Sequence, residues 1–278
     1  MTNQIYPCLW FDGNAKAAAE FYCSLFKNSK ITVDTPMVVS FELNGKKFMG
    51  LNGGPHFKFT PAISFFVLCE SIAETNELWN KLIDGGSALM SIDKYPWSER
   101  YGWVKDKFGL TWQVSVVNKE GDKQKITASM LFTGNKFGKA EEAVNFYTSV
   151  FNNSATDLLI HYPDGDANAG KVMYSEFNLN KHGLIAMDGP GDHAYTFNEA
   201  VSFVVSCDTQ EEIDYFWNKL TEGGAESMCG WLKDKFGVSW QIVPTVLGKL
   251  MTDPEKAPRV MQAFMQMKKF DIEKLLKA

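Results

Sequence analysis

Hydrophobic and polar residues alternate with two different periods along this chain, and the periods follow one another in a fixed order. The apolar run Ile5–Phe11 predicts a buried strand. From Ala18 onward, apolar residues recur at i, i+3, i+4, i+7 and i+8, which predicts an amphipathic helix. Three strand-like runs follow, and Asn44-Gly45 predicts a hairpin turn between the last two. This part of the sequence therefore predicts a β-α-β-β-β module.

A second module of the same kind begins at Ala62. An apolar strand over residues 62–69 is followed by Ser71 and Glu74, whose spacing is that of a capping box at the start of a helix. Gly85-Gly86 predicts the end of that helix, because glycine readily adopts the left-handed conformation that closes a helix. Three more strands follow, and a tight turn at residues 105–109 joins the last two.

The whole order then occurs a second time. The segment GWVKDKFGLTWQV, residues 102–114, returns 128 residues later as GWLKDKFGVSWQI, and nine of the thirteen positions are identical. Other segments match in the same order, such as AEFYCSLFKNS with VNFYTSVFNNS. The period is too long for a solenoid, so each copy is expected to be a domain. We expect a first domain over residues 1–118, a linker over 119–125, a second domain over 126–247 and a C-terminal helical tail over 248–278.

Composition narrows the class of protein. The 278 residues, 45% of them hydrophobic and 22% charged, have the balance of globular domains. A net charge of −5 lacks the basic footprint of nucleic-acid binding. The five cysteines form no C-x-x-C pair, which argues against a zinc knuckle or a disulfide framework. No signal peptide and no apolar run of about 18 residues is found, so we expect a cytoplasmic protein without membrane contact.

The module order, together with three motifs, resembles a known superfamily. The motifs are FDGN-x-A followed by FY, the strand S-F-x-V-x-C, and GW-L/V-KDKFG-x-x-WQ. They are similar to the PhnB-like branch of the vicinal oxygen chelate superfamily, a branch often labelled 3-demethylubiquinone-9 3-methyltransferase-like. The resemblance implies an α+β fold of two tandem glyoxalase-like domains. In each, two βαβββ modules form a cup-shaped, mixed eight-stranded sheet with helices on its outer face and the site in the cup.

The same resemblance suggests how the two copies are related. Single-domain members of the superfamily often pair as dimers, so the fused copies are expected to imitate that dimer within one chain. A homodimer of the whole chain stays open as a further possibility.

The last strand of each copy places a glutamine toward the cup. Side chains alternate between the two faces of a strand, so Trp112 packs under the helices while Gln113 points to the opposite, concave face. Gln241 occupies the same place in the second copy. Most of the repeated segment is explained by architecture, as a turn, a packing tryptophan and a strand. The two glutamines remain as candidate ligand-binding residues.

A metal site is not expected in either cup. Metal-dependent relatives place a glutamate near Gln113 or Gln241, and further acidic or histidine ligands on other cup strands. By this pattern the first-strand positions are near Tyr6 and Thr127 and the fifth-strand positions near Ala62 and Ala200, none of which is a strong ligand for a divalent ion. The four histidines are expected in solvated loops. We therefore predict no metal, no cofactor and no catalytic residue.

Other candidate ligand-binding residues lie on the cup strands and on one insertion. Tyr6, Ser64 and Ser202 are small or polar residues of cup strands. Residues 91–103 include about ten residues that the second copy lacks, and we expect them to form a loop leading into the cup. Aromatic and guanidinium groups on such a loop can hold an anionic or aromatic ligand, and the candidates there are Trp97, Arg100 and Tyr101. The alternative is an exposed loop with one ion pair.

Two classes of function remain open. The first, which we favour, is binding of a small organic molecule in a metal-free cup. The second is a lyase or isomerase of the glyoxalase type that acts on a small carbonyl compound. Methyl transfer, as the branch label states, is a weaker alternative, because the sequence contains no G-x-G-x-x-G turn of a Rossmann nucleotide site.

Overall fold

The computed structural model describes residues 3–117 and 125–278. The first copy contains β1 (Ile5–Phe11), α1 (Ala15–Leu25), β2 (Lys30–Asp34), β3 (Val38–Leu43), β4 (Lys46–Asn52), β5 (Ile63–Cys69), α2 (Ile72–Ile83), β6 (Ser87–Tyr95), β7 (Ser98–Lys105) and β8 (Thr111–Val116). Of the predicted linker, residues 119–124 lie outside the described residues, and Lys125 already begins a strand.

The second copy repeats this order and adds three short helices. It contains β9 (Lys125–Phe132), a 3-10 turn (Gly134–Lys136), α3 (Ala140–Val150), β10 (Ala155–His161), β11 (Val172–Leu179), β12 (His182–Asp188), β13 (Val201–Cys207), α4 (Gln210–Thr221), β14 (Ala225–Glu226), β15 (Trp231–Lys233) and β16 (Ser239–Pro244). The tail forms α5 (Val246–Met251), α6 (Ala257–Phe264) and α7 (Ile272–Lys277). Within the described ranges, no helix is long and apolar enough to cross a bilayer.

The residues predicted to begin and end α2 and α4 do so in the structure. The Ser71 hydroxyl accepts a hydrogen bond from the Glu74 amide at 3.2 Å, and the Glu74 carboxylate accepts one from the Glu70 amide at 2.7 Å. This is a variant of the capping box in which the glutamate reaches the amide just before the N-cap residue, and it begins α2. Gly85 has φ +73°, so the helix ends in the left-handed conformation that glycine permits. The second copy repeats both features, with Thr209 as the N-cap of α4.

The strands form two mixed eight-stranded sheets, which confirms the predicted fold class. Sheet A has the order β14-β15-β16-β13-β1-β4-β3-β2, and sheet B has the order β10-β11-β12-β9-β5-β8-β7-β6. One detail differs from the expectation, which was that the two modules of one copy share a sheet. Each sheet instead joins one module from each copy, through the antiparallel pairs β1–β13 and β5–β9.

A buried carboxylate joins the two modules of the first copy, which share one core but lie in different sheets. Asp106, in the turn between β7 and β8, accepts hydrogen bonds from the Tyr22 hydroxyl and the Trp112 indole, each at 2.9 Å. Tyr22 lies on α1, which packs on the outer face of sheet A, whereas Trp112 lies in sheet B. The helices therefore tie the outer faces of the two sheets together, and the strand edges of β1 and β5 stay free to pair with the other copy.

The junction between the copies is reciprocal. The Thr60 hydroxyl donates to the Thr196 carbonyl at 3.2 Å, and the Asn198 amide donates to the Lys58 carbonyl at 2.9 Å. Thr60 and Asn198 occupy equivalent positions of the two copies, as do Lys58 and Thr196. Reciprocal contacts of this kind are those of an isologous, two-fold interface, here within one chain.

The two copies differ most in the hairpin that leads into the last strand. We expected residues 91–100 to form a loop, but they belong to the long hairpin β6–β7, so this expectation is wrong. In the second copy the hairpin is reduced to β14 and β15. The tail fills part of that place, because the Cys229 and Gly230 amides donate to the carbonyls of Met267 and Lys268, both at 2.7 Å.

Candidate functional site

The face of each sheet that carries no helix forms a cup. Cup A is this face of sheet A and cup B is this face of sheet B. In cup A, the rings of Trp10 on β1 and Trp231 on β15 lie 6.0 Å apart, although three strand spacings, about 14 Å of sheet, separate those strands. Rings this close require the sheet to curl around them. Each cup therefore combines strands of both copies.

The floor of cup A is predominantly apolar. Tyr6, Cys8 and Val204 form a small buried cluster that is separate from the main core, with Met49, Leu51 and Val243 packed against it. The strand register brings them together, since Cys8 pairs with Ser202 on one side and with Met49 on the other. We call the floor of cup A the inward-facing residues at the middle of its four central strands: Tyr6, Cys8, Met49, Leu51, Ser202, Val204, Ser239, Gln241 and Val243.

The polar groups of this floor are few and adjacent. The Gln241 amide donates to the Ser202 hydroxyl at 2.9 Å. Both side chains also lie within hydrogen-bonding reach of the Cys8 thiol, since they lower its pKa. The hydroxyl of Ser239, one strand from Ser202, is fully buried and has no hydrogen-bond partner among the described residues. A buried hydroxyl without a hydrogen-bond partner destabilises the fold, and a hydrogen bond to a ligand or a water molecule removes this cost.

The ionisable groups of the floor are neutral at physiological pH. Desolvation by burial raises the pKa of the Cys8 thiol to about 12, in spite of the opposing hydrogen bonds from Gln241 and Ser202. Desolvation also raises the pKa of the Tyr6 hydroxyl to about 12, against a hydrogen bond with Ser206 that lowers it. Cys8 is therefore a thiol rather than a nucleophilic thiolate, and Tyr6 is a hydrogen-bonding phenol.

Cup B contains the equivalent glutamine in a closed network. The Tyr101 hydroxyl donates to Gln113 Oε1 at 2.7 Å, and Gln113 Nε2 donates to the Ser64 hydroxyl at 2.8 Å. Both polar ends of the glutamine are thus engaged by the protein itself. The Ser129 hydroxyl and the Trp103 indole nitrogen are buried on the same face and have no partner in the described part of the chain.

Cup B differs from cup A at several equivalent positions. Phe66 stands where cup A has Val204, and Glu176, which accepts the Tyr174 hydroxyl at 2.8 Å, stands where cup A has Ser40. A cavity of about 20 Å³ lies between Phe66, Thr127, Glu176 and Gly183, which is room for a single water molecule.

The predicted site residues separate into two groups. Tyr6, Ser202 and Gln241 meet in cup A, while Ser64, Gln113 and Tyr101 meet in cup B. Trp97 is 54% exposed at the tip of the β6–β7 hairpin, where it stacks on Tyr95. The structure does not bring Arg100 into the cup, because its Nε donates to Asn76 Oδ1 on α2, at 2.6 Å, on the helix-covered face.

Sequence reasoning missed several residues of cup A, notably Cys8, Met49, Lys47 and Trp231. Alternation along β1 and β4 already puts Cys8 on the face of Tyr6, and Lys47 on the face of Met49. This alternation identifies the residues of one cup only when the neighbouring strands are known. The sequence alone does not show that modules of different copies pair, so these neighbours were missed. The histidine expectation also needs two corrections, because His161 ends β10 and His182 begins β12 instead of lying in loops.

The residues of neither cup match a divalent metal site. Residues 3–117 and 125–278 contain no group of three or more histidine, cysteine, aspartate or glutamate side chains able to hold one ion. At the central positions the floor of cup A offers a protonated thiol, a serine, a methionine and the Gln241 amide. These are weak ligands for the hard or borderline divalent ions that carboxylates and imidazoles bind.

Comparison with known proteins agrees with this architecture. Glyoxalase I from Zea mays has 10% sequence identity, covers 91% of this chain and 97% of its own, and superposes with a TM-score of 0.57. A likeness at this identity shows the fold alone, which is a glyoxalase-like fold with two tandem copies.

The family follows from the sequence. The model described as 3-demethylubiquinone-9 3-methyltransferase matches residues 3–115 and again residues 124–243, so the chain belongs to this family, once per copy. A Bacillus cereus protein described as a putative 3-demethylubiquinone-9 3-methyltransferase, PhnB protein, is 35% identical over 40% of this chain and 96% of its own, with a TM-score of 0.38. A Staphylococcus aureus protein is 32% identical over 40% and 94%, with a TM-score of 0.19. No curated protein matches the chain.

Proposed function

We propose that this protein binds a small organic molecule with an apolar body in cup A. One observation carries the proposal. Tyr6, Cys8 and Val204 form an apolar cluster apart from the main core, on a face that no helix covers. A buried apolar cluster at the bottom of a concave face, with a few convergent polar groups beside it, has the composition of a small-molecule site. The rings of Trp10, Trp231 and Phe57 at the rim extend this surface.

The chemistry of the floor supports binding over proton abstraction. A glyoxalase-type lyase or isomerase needs a base whose pKa lies near the working pH. The floor of cup A has no carboxylate and no imidazole, and both Cys8 and Tyr6 have pKa values raised to about 12. The word methyltransferase is part of the name of the family. No feature of the floor favours methyl transfer.

Cup A is a better candidate than cup B for an apolar ligand. The glutamine of cup B already has both polar ends bound, by Tyr101 and Ser64, and a ligand would have to displace one of them. Gln241 has only its amide nitrogen engaged by a described side chain, so its carbonyl oxygen is available as an acceptor.

A matched pair of variants tests the choice of cup. Leu51 in cup A and Met187 in cup B occupy equivalent positions on β4 and β12, and both are half-buried. We expect 2-acetylnaphthalene to bind the wild-type protein in isothermal titration calorimetry. Leu51→Gln is expected to weaken this binding about tenfold, because it replaces apolar contact by a polar group that the ligand leaves unpaired.

Met187→Gln is expected to leave the affinity unchanged. Both variants should keep the thermal midpoint of the wild-type protein within a few degrees, which separates loss of binding from loss of folding. Absence of binding to the wild-type protein, or weakening by Met187→Gln instead of Leu51→Gln, would contradict the proposal.

A further inference from the structure

We infer that the ligand of cup A is an anion, a small carboxylate with an apolar body, and that Lys47 binds its charged group. The inference rests on the proposed function and adds the chemical class of the ligand. Lys47 lies on β4, two residues before Met49 on the same face, so its side chain belongs to the inner surface of the cup. Its ammonium nitrogen lies 3.9 Å from the centre of the Tyr6 ring.

Lys47 and Trp231 lie at opposite ends of one row of residues across the floor. The register places Trp231, Gln241, Val204 and Tyr6 in one row across β15, β16, β13 and β1. Lys47 continues this row on β4, because Cys8 pairs with Met49 in the parallel β1–β4 ladder. The cation and the Trp231 ring therefore stand on opposite walls of the cup. A molecule lying across the floor meets a positive charge at one end and aromatic rings at the other.

The charge of Lys47 is not balanced by the protein. No carboxylate of the described residues forms an ion pair with it. Glu42 lies directly opposite on β3, but its carboxylate pairs with the Lys30 ammonium at 3.5 Å. The contact with the Tyr6 ring stabilises the cation only in part, and desolvation lowers the pKa of the Lys47 amine. A half-buried cation without a counter-ion is stabilised when an anionic ligand supplies one.

Cup B carries a different arrangement of charges at the equivalent place. Gly183 occupies the position equivalent to Lys47 and pairs with Asn178, and the cation of this region is Lys125, whose side chain lies 3.9 Å from the place of a Gly183 Cβ. Glu176 and Asp157 line the same end of cup B. Lys125 of cup B therefore shares its cavity with two carboxylates, whereas Lys47 of cup A has no ion pair among the described residues. A single lysine supplies one positive charge, which suits a carboxylate better than a doubly charged phosphate.

The test compares two probes of nearly the same shape, 2-naphthoate and neutral 2-acetylnaphthalene, by isothermal titration calorimetry near pH 7. We expect the wild-type protein to bind 2-naphthoate about tenfold more tightly than the ketone, as a charge-assisted contact in a partly desolvated site predicts. Lys47→Met should remove this preference, so that the affinities for the two probes become equal. Lys219→Met removes an exposed lysine on α4 and should change neither affinity.

The outcomes separate this inference from the proposed function. Equal affinities of the two probes for the wild-type protein would overturn the carboxylate assignment and leave binding in cup A intact. A preference for 2-naphthoate that survives in Lys47→Met would show that another group binds the anion, and would also overturn it. If neither probe binds, the proposed function itself fails. Thermal midpoints of the two lysine variants show that each is folded.

Discussion

The Tyr101 hydroxyl donates to the side-chain oxygen of Gln113 at 2.7 Å, and this contact distinguishes the two cups. The position equivalent to Tyr101 in the second copy is Cys229, which has φ +57° and whose amide donates to the tail at Met267. Cys229 supplies no hydroxyl to Gln241. The same repeated motif therefore ends in a closed polar network in cup B and in an available amide oxygen in cup A.

The network of cup B should be measurable as stability. Tyr101→Phe leaves the Gln113 oxygen buried without its donor, so we expect the free energy of unfolding to fall by about 1–2 kcal/mol in urea denaturation. Tyr195→Phe is the control, because the Tyr195 hydroxyl donates to no described residue, and it should change stability much less. Equal effects of the two substitutions would show that the Tyr101 contact adds little.

The repeated KDKFG turn predicts a larger effect. Asp234 accepts hydrogen bonds from the Tyr147 hydroxyl at 2.7 Å, the Trp240 indole at 2.8 Å and the amides of Phe236 and Val238. Asp234→Ala leaves all four donors buried and unpaired. We expect a loss of about 3–5 kcal/mol in the free energy of unfolding, or failure to fold. The milder Asp234→Asn keeps the acceptor oxygen and should lose less, and Asp164→Ala on an exposed turn should lose almost nothing.

His182 predicts a pH dependence of stability. Desolvation, assisted by the positive charge of Lys46, lowers the pKa of the imidazole from 6.5 to about 4. The unfolded chain binds a proton in this interval and the folded chain does not, so the stability present above pH 6.5 is lost as pH falls toward 4. The contribution is about 3 kcal/mol, since each pKa unit corresponds to about 1.4 kcal/mol.

The check is urea denaturation at several pH values between 4 and 7. His182→Asn should flatten the pH dependence in this interval, whereas His56→Asn, at an exposed loop position, should leave it as in the wild-type protein. An unchanged slope in His182→Asn would mean that other groups cause the acid sensitivity.

The side chains of the two cups predict that divalent metals do not change the thermal stability of the protein. Because the described residues contain no suitable cluster of ligands, we expect the thermal midpoint to stay within about one degree after dialysis against EDTA and after addition of Zn²⁺, Ni²⁺, Mn²⁺ or Mg²⁺. Metal analysis of the untreated protein should find less than one ion per chain. A stoichiometric metal, or a midpoint that rises by several degrees with one ion, would contradict this.

The strands and helices were largely predictable because their signals are local. Ser71 with Glu74 began α2 as expected, Gly85 ended it, and the alternation through Trp112 and Gln113 gave the two faces of β8 correctly. Each of these signals acts within about five residues, so one sequence is enough to interpret it.

The composition of the cups was not predictable in the same way. β1 and β5 present equally apolar edges, and nothing local decides which strand pairs with them. Long-range contacts such as Tyr22 with Asp106 decide it, by holding the two modules of a copy back to back. For this reason Tyr6 and Gln113, both placed in the first copy, lie in different cups. The hairpin with Trp97 and Arg100 was misjudged because its polar, irregular sequence hides a strand pair with several register shifts.

Ligand binding in cup A can be tested most directly by methionine methyl NMR. Met49 lies in the floor of cup A and Met187 at the inner face of cup B, so their methyl signals report on the two cups separately. Their signals among the twelve methionines are assigned with Met49→Leu and Met187→Leu. On titration with 2-acetylnaphthalene we predict a saturable ring-current shift of the Met49 signal and no shift of the Met187 signal. A shift confined to Met187, or no shift of either signal at saturating ligand, would contradict the proposal that cup A is the binding site.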